Sequence, residues 1–320
     1  MKIFISGAAG FIASNLSEAL IADHSVVGIE NFDPFYDRKI KEKNLELLKL
    51  SPNFKLYEGD MVDPVLMNRI FNDNDFDLVI HLAAKAGVRP SIEDPEGYVK
   101  TNINGTVNIL EAAKKQGVRN FVFASSSSIY GNNKSIPFKE SDPVDKPISP
   151  YAATKKACEL ICNTYAHLNG MSIACLRFFT VYGRRQRPDL AISKFTKMID
   201  RGEAIPVFGD GTTERDYTYI DDIIDGIVKA AKYTADSPDG NCEIFNIGES
   251  NTVTLTRLIE LIENAVGKKA VIDRMPMQPG DVVRTYADVS KAKSTFGYAP
   301  KTDIESGIQK YVAYYREMKK

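Results

Sequence analysis

Apolar residues recur along the first half of the chain in two alternating rhythms. Short runs rich in β-branched and aromatic residues, at 2–6, 26–30, 54–58, 78–81 and 121–125, read as strands, and 172–176 continues the series. Between them lie stretches with apolar positions at helical spacing, such as Ile12, Leu16, Ala19 and Leu20. Strands that alternate with helices imply right-handed crossovers and a parallel sheet covered on both faces. The expected fold is α/β, a Rossmann-type doubly wound parallel sheet.

A long loop spans 131–149, with prolines at 137, 143 and 147, and ends in Ser149-Pro150. Serine there can cap a helix and proline suits its first turn. After Gly183 the regular alternation breaks into short strands and helices separated by turn signals, Gly209-Asp210-Gly211 and Gln278-Pro279-Gly280. This second part is expected to form a smaller α/β substrate-binding domain, with the segment from about 216 to 247 returning to the main sheet. The expected boundaries are 1–177 and 216–247 for the cofactor domain, and 178–215 with 248–320 for the other.

Composition narrows the partners more than the fold. The 320 residues are 43% hydrophobic and 26% charged, with 41 basic against 42 acidic groups. A net charge of -1 supplies no long-range field for nucleic acid or an anionic membrane. Any anionic ligand must be held by local devices such as helix ends and single arginines. The chain has no apolar run of about 18 residues and opens without a signal-peptide stretch, so no membrane span is expected and the chain reads as cytoplasmic. Cysteines at 158, 162, 175 and 242 read as reduced core thiols, and His24, His81 and His167 form no cluster, so no metal is expected.

The candidate chemistry begins at the turn Gly7-Ala8-Ala9-Gly10-Phe11-Ile12-Ala13, which comes after the first strand and opens the first helix. Glycines let the backbone turn tightly and let a pyrophosphate approach free N–H groups at the helix N-terminus. Glu30 ends the second strand some 20 residues on, where a carboxylate can bind adenosine ribose hydroxyls and repel an added phosphate. That favours NAD over NADP. Asp60 comes after the third strand, and His81-Leu82-Ala83-Ala84 closes the fourth with small residues that can lie against a cofactor. Read alone, the turn could be a plain strand-to-helix connection, and His81 is better taken as structural.

Tyr151-Ala152-Ala153-Thr154-Lys155 falls in the helix capped by Ser149, so Tyr151 and Lys155 share a face. An ammonium near a phenol favours phenolate, lowering the tyrosine from about 10 toward the working range. Such a phenol can take a proton from a sugar hydroxyl while hydride leaves the same carbon. Ser125-Ser126-Ser127-Ser128 ends the fifth strand, where doubly wound sheets place their ligands. By themselves these residues are also compatible with an exposed helix face and a serine-rich turn.

The segments GAAGFIA, HLAA, SSSSIYG, YAATK, RFFTVYG and RDYTYIDD occur in that order over nearly the whole length. In this the chain resembles the extended short-chain dehydrogenases/reductases of the NAD-dependent epimerase/dehydratase family. The resemblance implies Ser126, Tyr151 and Lys155 as catalytic residues and Ser127 and Ser128 as groups facing the sugar. It further implies Asn31, Met61, Leu82, Ala83, Ala84, Lys85 and Asn102 in the cofactor site, a tightly bound and recycled NAD, and a homodimer through the helix after Pro95 and the Tyr151 helix.

Family members that eliminate water carry Asp-Glu or Glu beside the catalytic hydroxyl. Serines at 127 and 128 cannot act as carboxylic acids, which leaves 4-epimerisation of a UDP-sugar. Thr180, with Arg184-Arg185-Gln186-Arg187-Pro188-Asp189 downstream, resembles the members that act on UDP-glucuronate. By that resemblance Thr180 and Arg187 hold the carboxylate and Arg89 lines the pocket, since a guanidinium fits a carboxylate two-pronged. Arg215 is expected on the UDP phosphates, Val207 and Phe208 around the uracil and Asp281 on its ribose, with Arg284 a stand-in for an arginine missing at Gln278. Epimerases of UDP-glucose or UDP-N-acetylglucosamine, a UDP-glucuronate decarboxylase and a non-catalytic NAD-binding regulator remain alternatives.

Overall fold

The computed structural model describes residues 1–277 and 282–319. Among them twelve strands are defined: β1 Lys2–Ser6, β2 Ser25–Glu30, β3 Phe54–Glu58, β4 Leu78–His81, β5 Asn120–Ser126, β6 Ser172–Phe178, β7 Thr180–Tyr182, β8 Ala204–Phe208, β9 Glu214–Tyr219, β10 Cys242–Ile247, β11 Thr252–Thr254 and β12 Val271–Met275. Seven of them form one sheet in the order β10-β6-β5-β4-β1-β2-β3. Every pairing in it is parallel. This is the doubly wound sheet that the alternating pattern predicts, and the 216–247 excursion does return to it as β10.

Parallel strands covered on both faces must be apolar on both, and β4 and β6 are buried at every position. The two-residue period divides the core cleanly. Ile3, Ile5, Ile80, Val122 and Leu176 face one side, while Phe4, Val79, Phe121, Phe123 and Ile173 face the other. On the second side Phe4, Phe71 and Phe76 pack with ring centroids 4.9–5.5 Å apart.

Beyond the sheet lie a three-stranded group, β11-β9-β7, and the pair β12-β8. Their helices add Ile192, Phe195, Leu258 and Ile308 to the same apolar cluster that contains Ile3 and Ile80. The smaller part is therefore packed through a shared core. Among the described residues no helix is long and apolar enough to cross a membrane. Cys158, Cys162 and Cys175 are buried, Cys242 is half-buried and all four are free thiols.

What positions the site is the reversal of strand order between β1 and β4. The segments after these two strands run to opposite sides of the sheet, so a crevice opens at the C-terminal strand ends. The Ser149 hydroxyl accepts from the Ala152 N–H at 3.2 Å, with Pro150 opening the helix Pro150–Asn169. That cap starts the helix at the crevice wall and places Tyr151 in its first turn.

Candidate active site

A cleft of about 660 Å³ runs along these strand ends. Its cofactor-side wall includes Gly7, Gly10, Phe11, Ile12, Glu30, Asn31, Asp60, Met61, Leu82, Ala83, Ala84 and Lys85. Gly7 adopts φ +71°, and a Cβ there would stand 3.0 Å from Ala83 Cα, so both conformation and the neighbouring backbone demand glycine. Gly10 caps the helix Phe11–Leu20 without any side-chain hydrogen bond, leaving its first-turn N–H groups for a ligand.

Glu30 is buried and held from several sides. It accepts from Phe32 N–H at 2.8 Å and Ala9 N–H at 3.2 Å, and pairs with Lys41 Nζ at 3.4 Å. Ala9 thus supports Glu30 through its backbone. The carboxylate is not the bare charge that spacing suggests, because buried Lys41 shares it. Asn31 donates to Asp60 at 3.2 Å, tying the ends of β2 and β3 together at the cleft floor.

His81 and Asn102 are structural supports behind this wall. Ser6 Oγ accepts from Leu82 and Ala83 N–H, each at 3.0 Å, and so donates to His81 Nδ1 at 2.7 Å. His81 Nε2 must then carry the proton and donate to Thr106 Oγ1 at 2.9 Å. Burial pushes His81 down to about 3, so it stays neutral. Asn102, expected against the cofactor, is instead buried, spanning Lys85 N–H (2.8 Å), Lys85 carbonyl (3.0 Å) and Thr154 Oγ1 (3.0 Å). It fastens the 82–86 loop to the Tyr151 helix.

Tyr151, Ser126, Ser127 and Ser128 all face the cleft. Ser126 Oγ accepts from Ser128 N–H at 3.2 Å and donates to Ser128 Oγ at 3.1 Å. Lys155 departs from expectation. It is 3% exposed, donates from Nζ to the Ala124 carbonyl at 2.6 Å and lies over the Phe123 ring. Burial holds it down at about 8. Tyr151 is accordingly raised, not lowered: desolvation dominates, opposed by Ser126 and by the charge of Arg187. Arg187, from another segment that lines the cleft, is one of the charges that act on the phenol.

Thr180 and Arg187 line the same cleft. Arg187 is gripped by Asp189, with Nε to Oδ1 at 3.0 Å and Nη2 to Oδ2 at 2.6 Å. Other expected sugar-nucleotide contacts lie elsewhere. Val207 is 1% exposed and belongs to the core, so its side chain does not face a base, because β8 turns that side chain inward. Phe208, next along the strand, instead carries the exposed Arg89 guanidinium 4.8 Å from its ring centroid. Neither residue lines the cleft. Arg215 donates to the Glu214 carbonyl at 2.8 Å, also outside the cleft lining. Arg284 is committed to the Glu214 carboxylate. Asp281 and Gln278 lie outside the described residues.

A family model described as GDP-mannose 4,6 dehydratase matches residues 4–311. The chain belongs to the NAD-dependent epimerase/dehydratase family. Within that family, a UDP-glucuronate 4-epimerase of Thermodesulfobacterium geofontis is 44% identical over 315 residues, covering 98% of this chain and 95% of the relative. The crystal structure of a Bacillus cereus UDP-glucuronic acid 4-epimerase with UDP-glucuronic acid and NAD has a TM-score of 0.92 and 36% identity, covering 99% of this chain and 100% of that one. A Thermotoga maritima UDP-glucose 4-epimerase with UDP-glucose has a TM-score of 0.91 and 33% identity, with both chains fully covered. Overall backbone likeness does not separate the last two.

Several cleft residues escaped the family motifs. Phe35 and Tyr36 reach the cleft from the loop after β2, and Tyr98 packs edge-on to Tyr151 with ring centroids 6.2 Å apart. Glu159, one turn beyond Lys155, accepts from Ser125 Oγ at 2.7 Å and pairs with buried Arg177 at 2.8 and 2.9 Å. That pair locks the Tyr151 helix to the strand ends carrying the serines. The i, i+4 repeat from Tyr151 through Lys155 to Glu159 was the available signal.

Proposed function

We propose that the protein is an NAD-dependent UDP-sugar 4-epimerase that interconverts UDP-glucuronate and UDP-galacturonate. The observation that carries this reading is that Tyr151 and Ser126 share one cleft with Thr180 and Arg187. A proton-transfer group and a carboxylate receptor thus line the same nucleotide crevice. Family relatives named for glucuronate epimerisation support the choice.

The cofactor wall fits a dinucleotide: the uncapped helix end at Gly10 suits a pyrophosphate, Glu30 suits a ribose diol, and the alanines at 83 and 84 leave room for a ring system. NAD, when bound there, supplies a hydride acceptor that gives the hydride back. Tyr151 takes the proton of the sugar 4-hydroxyl and later returns one, aided by Ser126. The buried phenol needs a favourable field to ionise, and Arg187 contributes it. Lys155 acts from behind the wall as a buried cation fixed on Ala124. Ser127 and Ser128 can hydrogen-bond the sugar but cannot protonate a leaving hydroxyl as a carboxylic acid would, which disfavours elimination.

The 4-keto uronate is a β-keto acid, which loses carbon dioxide when its carboxylate bond aligns with the ketone π system. Holding the carboxylate on Thr180 and Arg187 keeps that bond out of alignment. Exposed Val99 and Leu160, on helices flanking the 82–86 loop, support a homodimer contact.

A second reading, epimerisation of a neutral UDP-sugar, is favoured by one observation: Arg187 is already paired with Asp189. Nuclear magnetic resonance of products formed from UDP-glucuronate, UDP-glucose and UDP-N-acetylglucosamine separates the two. Interconversion of UDP-glucuronate and UDP-galacturonate is expected. Turnover of the neutral sugars without the uronate would reject the proposal, and net release of a UDP-pentose would mean decarboxylation.

A further inference from the structure

The Arg187–Asp189 pair bears on more than the charge balance, provided that the substrate is UDP-glucuronate, the reading on which its role rests. A guanidinium presents two edges that can each take a carboxylate, one formed by Nε and Nη2 and the other by Nη2 and Nη1. Asp189 occupies the first edge with both oxygens, at 3.0 and 2.6 Å. Phe35, from the loop after β2, lies against the guanidinium with its ring centroid 4.9 Å away. Nη1 makes a long 3.4 Å contact with the Ala86 carbonyl, itself part of the cleft wall. The plane of the guanidinium is thereby held by one edge and one face, and the Nη1/Nη2 edge is the one not committed to Asp189.

We infer that Asp189 is a positioning residue for sugar specificity: it locks Arg187 so that the Nη1/Nη2 edge receives the uronate carboxylate. Two effects oppose each other here. Asp189 repels a second carboxylate across the guanidinium, but its side chain is 40% exposed and the repulsion is screened by water. Without Asp189 the long arginine side chain must be frozen in the binding step, at a conformational cost that falls wholly on substrate affinity. A loosely held arginine would also let the carboxylate rotate. In the 4-keto state the bond from C5 to the carboxylate carbon could then break, its electron pair entering the enolate of the ketone while carbon dioxide leaves.

This lock resolves the apparent preference for neutral sugars. An arginine clasped along one edge remains a receptor along the other, whereas an arginine quenched by both edges would not. Phe35 belongs to the same device, because covering one face of the planar group restricts its rotation without consuming a donor.

The test compares wild type with Asp189→Asn, Asp189→Ala and Asp189→Glu in the NAD-loaded protein. Expected for Asn and Ala are a KM for UDP-glucuronate raised about tenfold or more, an unchanged Kd for UDP, and a several-fold larger fraction of turnovers ending in a UDP-pentose with carbon dioxide. Glu is expected to restore the partition in part. A purely structural role would lower Tm and weaken UDP and UDP-glucuronate alike. An unchanged or lower KM for UDP-glucuronate with an unchanged product partition overturns the lock. If wild type fails to turn over UDP-glucuronate, the function and the lock both fall, whereas normal turnover with insensitive variants removes only the lock.

Discussion

The two halves of the cleft are built by different means. On the cofactor side, the groups that would meet a dinucleotide are backbone atoms and short side chains at strand ends, each within a few residues of a sheet strand. Gly7, Gly10, Ala83 and Glu30 are placed by β1, β2 and β4 directly, and their tolerance is set by close backbone approach. On the sugar side, side chains do much of the placing: Arg187 meets Asp189 two residues on, and Phe35 and the Ala86 carbonyl from two other stretches of the chain. A backbone-built site fails by steric exclusion and is nearly all-or-none. A side-chain-built site fails by loss of orientation and can be tuned, which suits the half that distinguishes one sugar from another.

The strongest test of that division is Tyr151→Phe. It removes the proton carrier from the sugar side while leaving the glycine turn intact, so kcat should fall by about 10²- to 10⁴-fold with NAD content unchanged. Unchanged activity would remove Tyr151 from the mechanism. Gly7→Val attacks the other half. A β-branched residue at φ +71° with Ala83 at 3.0 Å should cost about 1–3 kcal/mol in stability and release NAD on gel filtration. Retention of NAD with a normal Tm would mean that the turn is more adaptable than a backbone-built site allows.

The smallest effect concerns Lys155, which sits between the halves. Its folded value of about 8 lies below the ordinary lysine range because burial disfavours the cation. The charge is therefore present below about pH 8 and lost as pH rises through it, so kcat/KM should decline on the alkaline side from about pH 8. Lys155→Arg keeps the charge and should flatten that limb at lower overall activity. Stability moves the opposite way. Between about 8 and the ordinary value near 10.4 the unfolded chain binds more protons, so folding gains as pH rises through that window. An alkaline limb unmoved by Lys155→Arg would assign the titration to another group.

The strands, the glycine turn, Glu30 and the Ser149 cap were all legible because each obeys a local rule: the period of two in buried strands, φ above zero at Gly7, and a serine three residues before the N–H that it caps. The strand-end serines were legible because sheet topology puts strand ends at the crevice, while Thr180 was legible only through resemblance to family members that act on UDP-glucuronate. Val207 was misplaced because strand membership does not tell which of two faces a residue takes, and neighbouring packing turned it into the core. Arg89 and Arg284 found partners at Phe208 and the Glu214 carboxylate, which no spacing along the chain encodes, and Arg215 took the carbonyl of its own neighbour Glu214.

The field at Tyr151 shows the boundary most sharply. Helix periodicity is local, so the order of residues was enough to put Tyr151 and Lys155 on one helical face beside a cofactor turn. Which cation acts on the phenol was settled only by the folded arrangement. Burial drew Lys155 onto the Ala124 carbonyl, while Arg187, 36 residues from Tyr151 along the chain, was brought into the same cleft, where its charge also acts on the phenol. Electrostatic influence depends on distance through the folded protein and on desolvation, and neither quantity is carried by spacing along the chain.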